Sequence, residues 1–291
     1  MNLSLRKQEI IWGYIFVAPW VIGAAVLLAW PLLRSLLLSF ESVRDLINLQ
    51  TEWVGLANYT EAFREDVGFL PRLLSSVRDL ALNLPLILVF SMMMALLVTG
   101  VNHGQTFLRA VFFLPVVIGS SGVITELLEA GAGDMIIDST MERLMAGLGE
   151  STGEEQGIVA PVQVVVERLT LIIWHTGVQI LLFIAGLNSI PPSLYEAARV
   201  DGSTGWEAFW KITLPMLSPV MLVAAIYTVI DSFTDPLNSV VNYIMDISLR
   251  EQLRLGYGAA LSWVYFIVVF LLILLLVRLS SRLVFYMGDK Q

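Results

Sequence analysis

The sequence predicts an all-α integral membrane protein, a bundle of six membrane-spanning helices in a single domain covering residues 1–291. Hydrophobic residues make up 57% of the chain and charged residues only 14%, whereas charged residues approach a quarter of an ordinary soluble chain. Apolar runs of spanning length recur between polar stretches. Cysteine is absent from the sequence, which excludes disulfides and thiolate metal sites.

The six predicted spans are the longest apolar runs in the chain. They cover residues 10–33, 80–99, 110–128, 169–188, 215–231 and 257–277. The first run begins like a signal peptide, but it is too long and lacks a small-residue cleavage site. We therefore interpret it as a retained span.

Polar stretches between the spans divide into external segments, a short inner link at residues 100–107, and one longer inner loop. The external segments cover 34–78, 129–168 and 231–256, and the inner loop covers 189–214. Segment 129–168 is acidic, and five apolar side chains at helical spacing predict a short amphipathic helix there: Ile137, Met141, Leu144, Met145 and Leu148. We favour a helix that covers the rim of the bundle over one that docks a partner.

The distribution of cations predicts the orientation. The proposed inner segments hold eight of the 17 Lys and Arg residues in about 60 residues, and the outer segments hold the other nine in about 110. This bias favours cytoplasmic termini and a cytoplasmic inner loop. The net charge of −8 and the lack of a basic block argue against a nucleic-acid partner.

The inner loop has the sequence of two short helices separated by a tight turn. Pro191 and Pro192 suit the first turn of a helix, where a missing N–H costs little. Ser193 and Glu196 have capping-box spacing, and Gly202 supplies the left-handed residue that ends many helices. The first helix is therefore expected to end at this glycine.

A second capping box, Thr204 with Glu207, predicts another short helix that runs to about Ile212. Leu214-Pro215 is then expected to turn the chain into the fifth span. The competing interpretation of the loop is an amphipathic segment that three aromatic residues anchor at the membrane surface: Trp206, Phe209 and Trp210.

Motifs for nucleotide binding, serine hydrolysis and zinc proteolysis do not occur in the sequence. His103 and His175 lack partners at metal spacing and are interpreted as isolated polar residues. The centres of the predicted spans contain no Asp, Glu, Lys or Arg, which weakens a proton-relay mechanism. If the protein performs work, the energy must therefore come from a partner or from a gradient.

The segment Glu196-Ala-Ala-Arg-Val-Asp-Gly202, followed by Lys211-Ile-Thr-Leu-Pro215, resembles the Glu-Ala-Ala loop of permease subunits of binding-protein-dependent ABC importers. The preceding Phe183-Ile-Ala-Gly-Leu-Asn-Ser-Ile-Pro191 is similar to the carbohydrate-uptake branch, which has maltose-type and glycerol-phosphate-type members. Other similar pieces follow the family order, namely Ser39-Phe40, Gly55-Leu-Ala-Asn-Tyr59, residues 104–115 and Leu255-Gly-Tyr-Gly-Ala-Ala-Leu261.

The resemblance implies a type I ABC importer permease fold with a cytoplasmic coupling helix between spans four and five, in a bacterial or archaeal inner membrane. It also implies a second permease subunit, two ATPase subunits that hold ATP and Mg, and an external solute-binding protein. On this basis the chain is not an enzyme and needs no cofactor of its own. The residues assigned to ATPase coupling are Glu196, Ala197, Ala198, Asp201, Gly202, Ile212, Leu214 and Pro215.

A sugar pathway needs amides, hydroxyls and an aromatic platform. The candidates are Trp174, Gln179, Tyr227, Ser232, Asn238, Asn242 and Tyr243. For each of them, helix packing or interface anchoring is the favoured alternative. Asp231 and Asp235 are interpreted as solvated loop acids rather than contacts to a binding protein.

Two features differ from the family pattern on the outer side. Phe233-Thr-Asp-Pro-Leu-Asn-Ser-Val-Val-Asn242 stands where a Gly-Gly-Pro followed by Thr is common, and the acidic segment 129–168 is longer than usual. A gradient-driven secondary transporter and a non-transporting membrane scaffold remain the alternative functions.

Overall fold

The structure, a computed structural model, describes residues 5–45, 50–101, 104–119, 175–235, 237–250 and 252–280. These residues form mostly helices, with one short β-hairpin. They belong to two compact units. The first unit contains residues 1–75 and 239–268, and the second contains residues 76–238 and 269–291.

The elements follow one another along the described residues, with three π-helical segments lying within longer helical stretches. They are α1 (Leu5–Ala24), a π segment (Ala25–Ala29), α2 (Trp30–Leu38), β1 (Glu41–Asp45), β2 (Gln50–Trp53), α3 (Ala57–Arg64), α4 (Phe69–Gly100), α5 (Gln105–Gly119), α6 (Gly177–Ser189), α7 (Pro192–Val200), α8 (Gly205–Ala208), a π segment (Phe209–Thr213), α9 (Leu214–Thr234), α10 (Ser239–Met245), a π segment (Asp246–Arg250) and α11 (Leu255–Ser280).

Four helical stretches among the described residues are long and apolar enough to cross a membrane. They are Trp12–Leu38, Phe69–Gly100, Gly205–Thr234 and Leu255–Ser280, and α6 with α7 forms a further candidate that bends by 62°. The predicted spans 110–128 and 169–188 lie partly outside the described residues, and segment 129–168 lies wholly outside them. The count of six spans therefore stays a prediction.

The second apolar helix starts earlier than the hydropathy of the sequence suggests. Helix α4 begins at Phe69, well before the predicted span at residue 80. The Asp66 carboxylate accepts hydrogen bonds from the backbone N–H groups of Gly68 (2.7 Å) and Phe69 (3.0 Å). These donors would otherwise be unsatisfied at a helix start, so the acid fixes the beginning of the helix.

The first unit packs a β-hairpin and helix α3 against α10 and α11. The hairpin pairs Glu41 with Trp53 in antiparallel register. Asn58 is buried, and its side-chain amide donates to the carbonyl oxygens of Ser39 (2.9 Å) and Glu41 (3.1 Å). The apolar core of this unit is formed by Ala62, Phe69, Leu73, Val240, Ile247, Tyr257, Leu261 and Val264.

Asp66 also joins the helices of the first unit. Its carboxylate accepts hydrogen bonds from the hydroxyl groups of Tyr243 on α10 (2.7 Å) and Tyr257 on α11 (2.6 Å). Burial raises the pKa of Asp66, but the two tyrosines and the two backbone donors lower it more, so the pKa lies below its usual value. Burial and this carboxylate raise the pKa of Tyr243 to about 12.

We expect Asp66→Asn to lower the free energy of unfolding by about 1–3 kcal/mol, because one amide oxygen cannot replace a carboxylate that accepts four hydrogen bonds. The lowered pKa gives the carboxylate a stabilising contribution that is fully present above about pH 4 and is lost as the pH falls through the folded-state value. Thermal unfolding of the detergent-purified protein between about pH 3 and pH 7 should show this dependence in the native protein and less of it in the variant. Glu65→Gln, at an exposed neighbour, serves as the control, and equal losses in both variants would contradict the assignment.

The second unit is built from α4, α5, α6 and α9. Helix α6 contacts both α5 and α9. The core contains Ala95 and Val98 from α4, three side chains of α6 (Ile180, Phe183 and Ile184) and Ala224 from α9. A Cβ at Gly186 would lie 2.8 Å from Leu217 and 2.9 Å from Val220, so glycine permits the close packing of α6 and α9.

The two capping boxes predicted for the inner loop have different outcomes. Thr204 and Glu207 form one, with reciprocal bonds between side chain and backbone. The box predicted at Ser193 and Glu196 is wrong: Pro192 occupies the first turn of α7, its N-cap residue is Pro191, and no side-chain cap bond forms. Because the prolines start the helix earlier, Ser193 already lies within the first turn.

The predicted turn at Leu214-Pro215 is also wrong. Residues Gly205–Thr234 form one helical stretch through the π segment Phe209–Thr213. The N–H of Leu214 donates to the carbonyl oxygen of Phe209, five residues back. A π segment changes the hydrogen-bond register, and this allows a helix to continue into a proline that has no N–H to donate.

Candidate functional site

Helix α7 is the most exposed regular element of the second unit's inner loop. All nine of its residues are described, and none is buried. Glu196 and Ala197 are exposed on it, as are Asp201 and Gly202 at its end. The other predicted coupling residues, Ala198, Ile212, Leu214 and Pro215, are half-buried. A short helix with no buried face gains little from packing within its own chain.

The chain nevertheless holds this helix in a defined place. The hydroxyl groups of Tyr195 and Thr213 lie 2.9 Å apart, which links α7 to the segment leading into α9. Gly202 has φ +80°, as predicted for a left-handed helix end, and the N–H of Ser203 donates to the carbonyl oxygen of Ala198 at 2.9 Å. One side-chain contact and a local C-terminal cap therefore hold the exposed helix.

Apolar side chains are also exposed on the loop. Val200 is 88% exposed and Trp206 is 70% exposed. The Trp206, Phe209 and Trp210 rings contact one another, with centroids 5.4 to 6.2 Å apart. Exposed clusters of this kind bind a membrane surface or another protein.

A second group of polar side chains surrounds a small pocket elsewhere in the second unit. The pocket has a volume of about 70 Å³ and is lined by Leu80, Asn83, Ile87, His175, Thr228, Asp231 and Ser232. The lining combines apolar side chains with amide, hydroxyl, imidazole and carboxylate groups. This composition suits a ligand that carries hydroxyl groups.

His175 contacts two carboxylates. Its Nδ1 lies 2.7 Å from the Oδ2 of Asp231, and its Nε2 lies 3.0 Å from the Oδ2 of Asp235. A neutral ring would direct a lone pair at one of these anions, so the geometry favours the imidazolium, which donates from both nitrogens. The interpretation of His175 as an isolated polar residue is therefore wrong, and so is the interpretation of Asp231 and Asp235 as solvated loop acids.

The environment of Asp235 agrees with this ion pairing. Burial raises its pKa, but hydrogen bonds from His175 and from the N–H of Leu237 lower it more, and the net pKa lies below the ordinary value. Among the described residues, no group of His, Cys, Asp or Glu has the arrangement of a metal site. The three side chains thus form an ion-paired cluster.

Gln179 lies next to this pocket. It is fully buried, and its Nε2 donates to the Oγ1 of Thr228 at 2.9 Å. The other polar atom of the amide, Oε1, has no hydrogen-bond partner in the described part of the chain. A buried acceptor without a partner is unusual in folded proteins.

The predicted pathway residues have different surroundings. Ser232 lines the pocket, Gln179 bonds to one of its lining residues, and Tyr227 is half-buried on the same helix. The side-chain amide of Asn238 donates to the carbonyl oxygen of Ser232 at 3.1 Å. Asn242 and Tyr243 belong to the first unit, where Tyr243 bonds to Asp66, and Trp174 lies outside the described residues.

Sequence reasoning missed four polar residues of the pocket: Asn83, His175, Thr228 and Asp231. A signal was present, because all four interrupt or border apolar segments. Their proximity was not predictable, since His175 and Asp231 are separated by 56 positions.

The long apolar helices define the class of the chain as a multi-pass membrane protein. The sequence profile described as "Binding-protein-dependent transport system inner membrane component" matches residues 54–287. The chain belongs to this family of inner-membrane ABC importer permeases, and the family resemblance predicted from its motifs is confirmed.

Several curated relatives match nearly the whole chain. The probable ABC transporter permease protein YesP of Bacillus subtilis (strain 168) is 30% identical, over 99% of this chain and 96% of that protein. The lactose transport system permease protein LacF of Rhizobium radiobacter is 28% identical, over 99% and 97%. These relatives are permease subunits of transport systems.

A solved structure supports the fold. It is a bacterial alginate ABC transporter in complex with an alginate pentasaccharide-bound periplasmic protein. The alignment covers 95% of this chain and 96% of that chain, with a TM-score of 0.66 and 17% sequence identity. The likeness shows that this chain has the fold of an ABC importer permease.

Proposed function

We propose that this chain is the membrane-spanning permease subunit of an ATP-driven importer of sugars or oligosaccharides. It forms half of the translocation pathway and pairs with a second permease subunit. Two ATPase subunits supply the energy, and an external solute-binding protein delivers the solute. Membership of the permease family supports this assignment, and the name of the lactose relative supports a carbohydrate solute.

The observation that carries the proposal is the exposure of α7, which contacts the segment leading into α9 through Tyr195 and Thr213. We assign to it the role of coupling helix, which binds a groove of an ATPase subunit. Ala197 and Ala198 permit close approach, and Glu196 offers a charged hydrogen-bond acceptor. Closure of the ATPase pair on ATP then moves α7 together with the helices on either side, as a rigid-body step.

The orientation of the chain in the membrane is part of the same proposal. The cation bias of the sequence assigns both termini and the loop that carries α7 to the cytoplasm. On this assignment, the exposed rings of Trp206 and Trp210 lie at the inner membrane surface, where indole rings are favoured. Anchoring by these rings is compatible with coupling through α7, because the two surfaces use different residues.

A co-purification experiment tests the proposal. The tagged chain is expressed from its native host, extracted in a mild detergent, and the proteins bound to it are identified by mass spectrometry. We expect an ATPase subunit and a second permease of similar size. Reconstitution of this assembly with its binding protein should give uptake that requires ATP. Transport by the chain alone, driven by an ion gradient and without ATP, would establish the secondary transporter instead.

A further inference from the structure

The ion-paired cluster of the second unit joins the two helices that flank the exposed helix α7. Helix α6 leads into α7, and the helical stretch Gly205–Thr234 leads away from it. His175 lies two residues before α6, Asp231 lies in the last turn of α9, and Asp235 follows that helix. The cluster therefore connects α6 and α9 at the ends that are far from α7.

Contacts at several levels connect the two sides between the loop and these far ends. At the loop, the hydroxyl groups of Tyr195 and Thr213 lie 2.9 Å apart. Further along, Gly186 permits close packing of α6 on α9, and beyond it the Gln179 amide donates to Thr228 at 2.9 Å. Residue numbers fall along α6 as they rise along α9, which is the register of an antiparallel pair. The ion-paired cluster is the last contact in this series.

The contact at the far ends differs from the others because it is ionic. The imidazolium of His175 donates from Nδ1 to Asp231 at 2.7 Å and from Nε2 to Asp235 at 3.0 Å. Hydrogen bonds between charged groups are roughly twice as strong as neutral ones. The three side chains are only 18 to 31% exposed, so salt screens them less than it screens a surface pair. A rigid ring held at two points fixes the orientation of the helix ends as well as their separation.

Asp235 allows this contact to be changed without changing the polar pocket. His175 and Asp231 line the pocket, whereas Asp235 is not among its described lining residues. The Oδ1 of Asp235 accepts from the N–H of Leu237 at 2.7 Å, and its Oδ2 faces the ring. Asp235→Asn keeps an oxygen for Leu237 but places an amide NH₂ against the ring nitrogen. The substitution therefore removes the ionic contact and preserves the turn and the pocket lining.

We propose that His175 is a positioning residue for transport, which clamps the far ends of α6 and α9 so that both helices follow a movement of α7 as one body. This role rests on the proposed import function and adds to it the contact that carries the movement as far as the pocket. Without the ionic contact, the far ends rely on packing and neutral hydrogen bonds, so they separate when α7 is displaced. Part of the movement is then lost before it reaches the pocket.

The test measures the separation of the far ends in the assembled permease and ATPase complex in nanodiscs. Spin labels are attached through Val178→Cys on α6 and Ile230→Cys on α9, in a chain that has no cysteine of its own and with cysteine-free partner subunits. Their dipolar broadening is recorded without nucleotide and with Mg and a non-hydrolysable ATP analogue. We expect a narrow distance distribution in both states of the protein that carries only the labels. Asp235→Asn should widen the distribution at least about twofold, and only when the analogue is bound.

Two further variants identify the source of the effect. Thr234→Ala is the matched control, because it truncates an exposed neighbour whose hydroxyl donates to the carbonyl oxygen of Ile230 in its own helix, and it should leave the distribution narrow. His175→Gln should widen the distribution as Asp235→Asn does, and the two substitutions together should widen it no further, because both remove the same contact. The ATPase retained by each variant is quantified to show that the complex is intact.

The clamp is overturned if Asp235→Asn leaves the distribution narrow, if it widens the distribution equally with and without the analogue, or if Thr234→Ala has the same effect. Widening in the protein that carries only the labels would also overturn it, because the two helices would then not move as one body. These outcomes differ from a failure of the proposed function. That failure would appear as the absence of a co-purifying ATPase and of ATP-dependent uptake by the unsubstituted assembly, and it would remove the role of the clamp as well.

Discussion

Gly256→Ala is expected to prevent stable folding of the first unit. Gly256 lies in the first turn of α11, and a Cβ there would overlap the backbone carbonyl oxygen of Glu41 and lie 3.2 Å from that of Leu38. Backbone atoms cannot move aside as a flexible side chain can, so the hairpin must separate from the helix. We expect a loss of about 3 kcal/mol or more in the free energy of unfolding.

The measurement is the thermal unfolding of the detergent-purified protein, together with the amount of folded protein recovered from the membrane. Gly100→Ala is the matched control, because a Cβ at the end of α4 has no atom within 4 Å and alanine is the better helix former. A Gly256→Ala protein that is as stable as this control would contradict the close approach of α11 to the β-hairpin.

Glu196→Lys is expected to abolish ATP-driven uptake while the protein remains abundant in the membrane. The side chain is exposed on α7, so the substitution should not disturb the fold. At an ATPase groove it would replace a hydrogen-bond acceptor by a cation and leave the partner's donors unpaired. Such a loss costs about 2 kcal/mol or more, which corresponds to roughly 30-fold in affinity.

Two readouts separate this effect from a general loss of function. Uptake is measured in proteoliposomes, and the retained ATPase is quantified after purification. Glu65→Lys makes the same charge reversal at an exposed position in the first unit and should retain the ATPase. Full ATPase retention and normal uptake in Glu196→Lys would remove α7 from the coupling mechanism.

Local chemistry made parts of the inner loop predictable. Thr204 and Glu207 form the predicted capping box, and Gly202 adopts the predicted left-handed backbone, because both depend on residues only a few positions apart. The same local rules failed at Ser193, where two prolines start the helix earlier, and at Pro215, where a π segment lets the helix continue.

Contacts between distant parts of the chain were not predictable. In the sequence, Asp66 is one acid within a polar segment. In the structure, its carboxylate accepts hydrogen bonds from Tyr243 and Tyr257, which lie 177 and 191 positions away. The pairing of His175 with Asp231 is of the same kind. Composition and motifs indicated the helical class and the family, but the polar pocket forms only where residues of α4 and α9 meet His175, which precedes α6.

The unbroken helical stretch from Gly205 to Thr234 joins the inner loop directly to the pocket. Trp206 lies near one end of it and Asp231 near the other, separated by about 38 Å at 1.5 Å per residue. A rod of this length acts as a lever: a tilt of about 5° at the loop end displaces the Asp231 end by about 3 Å. That distance is comparable to the length of a hydrogen bond, so a small movement of the loop is sufficient to displace the Asp231 end of the helix by that length.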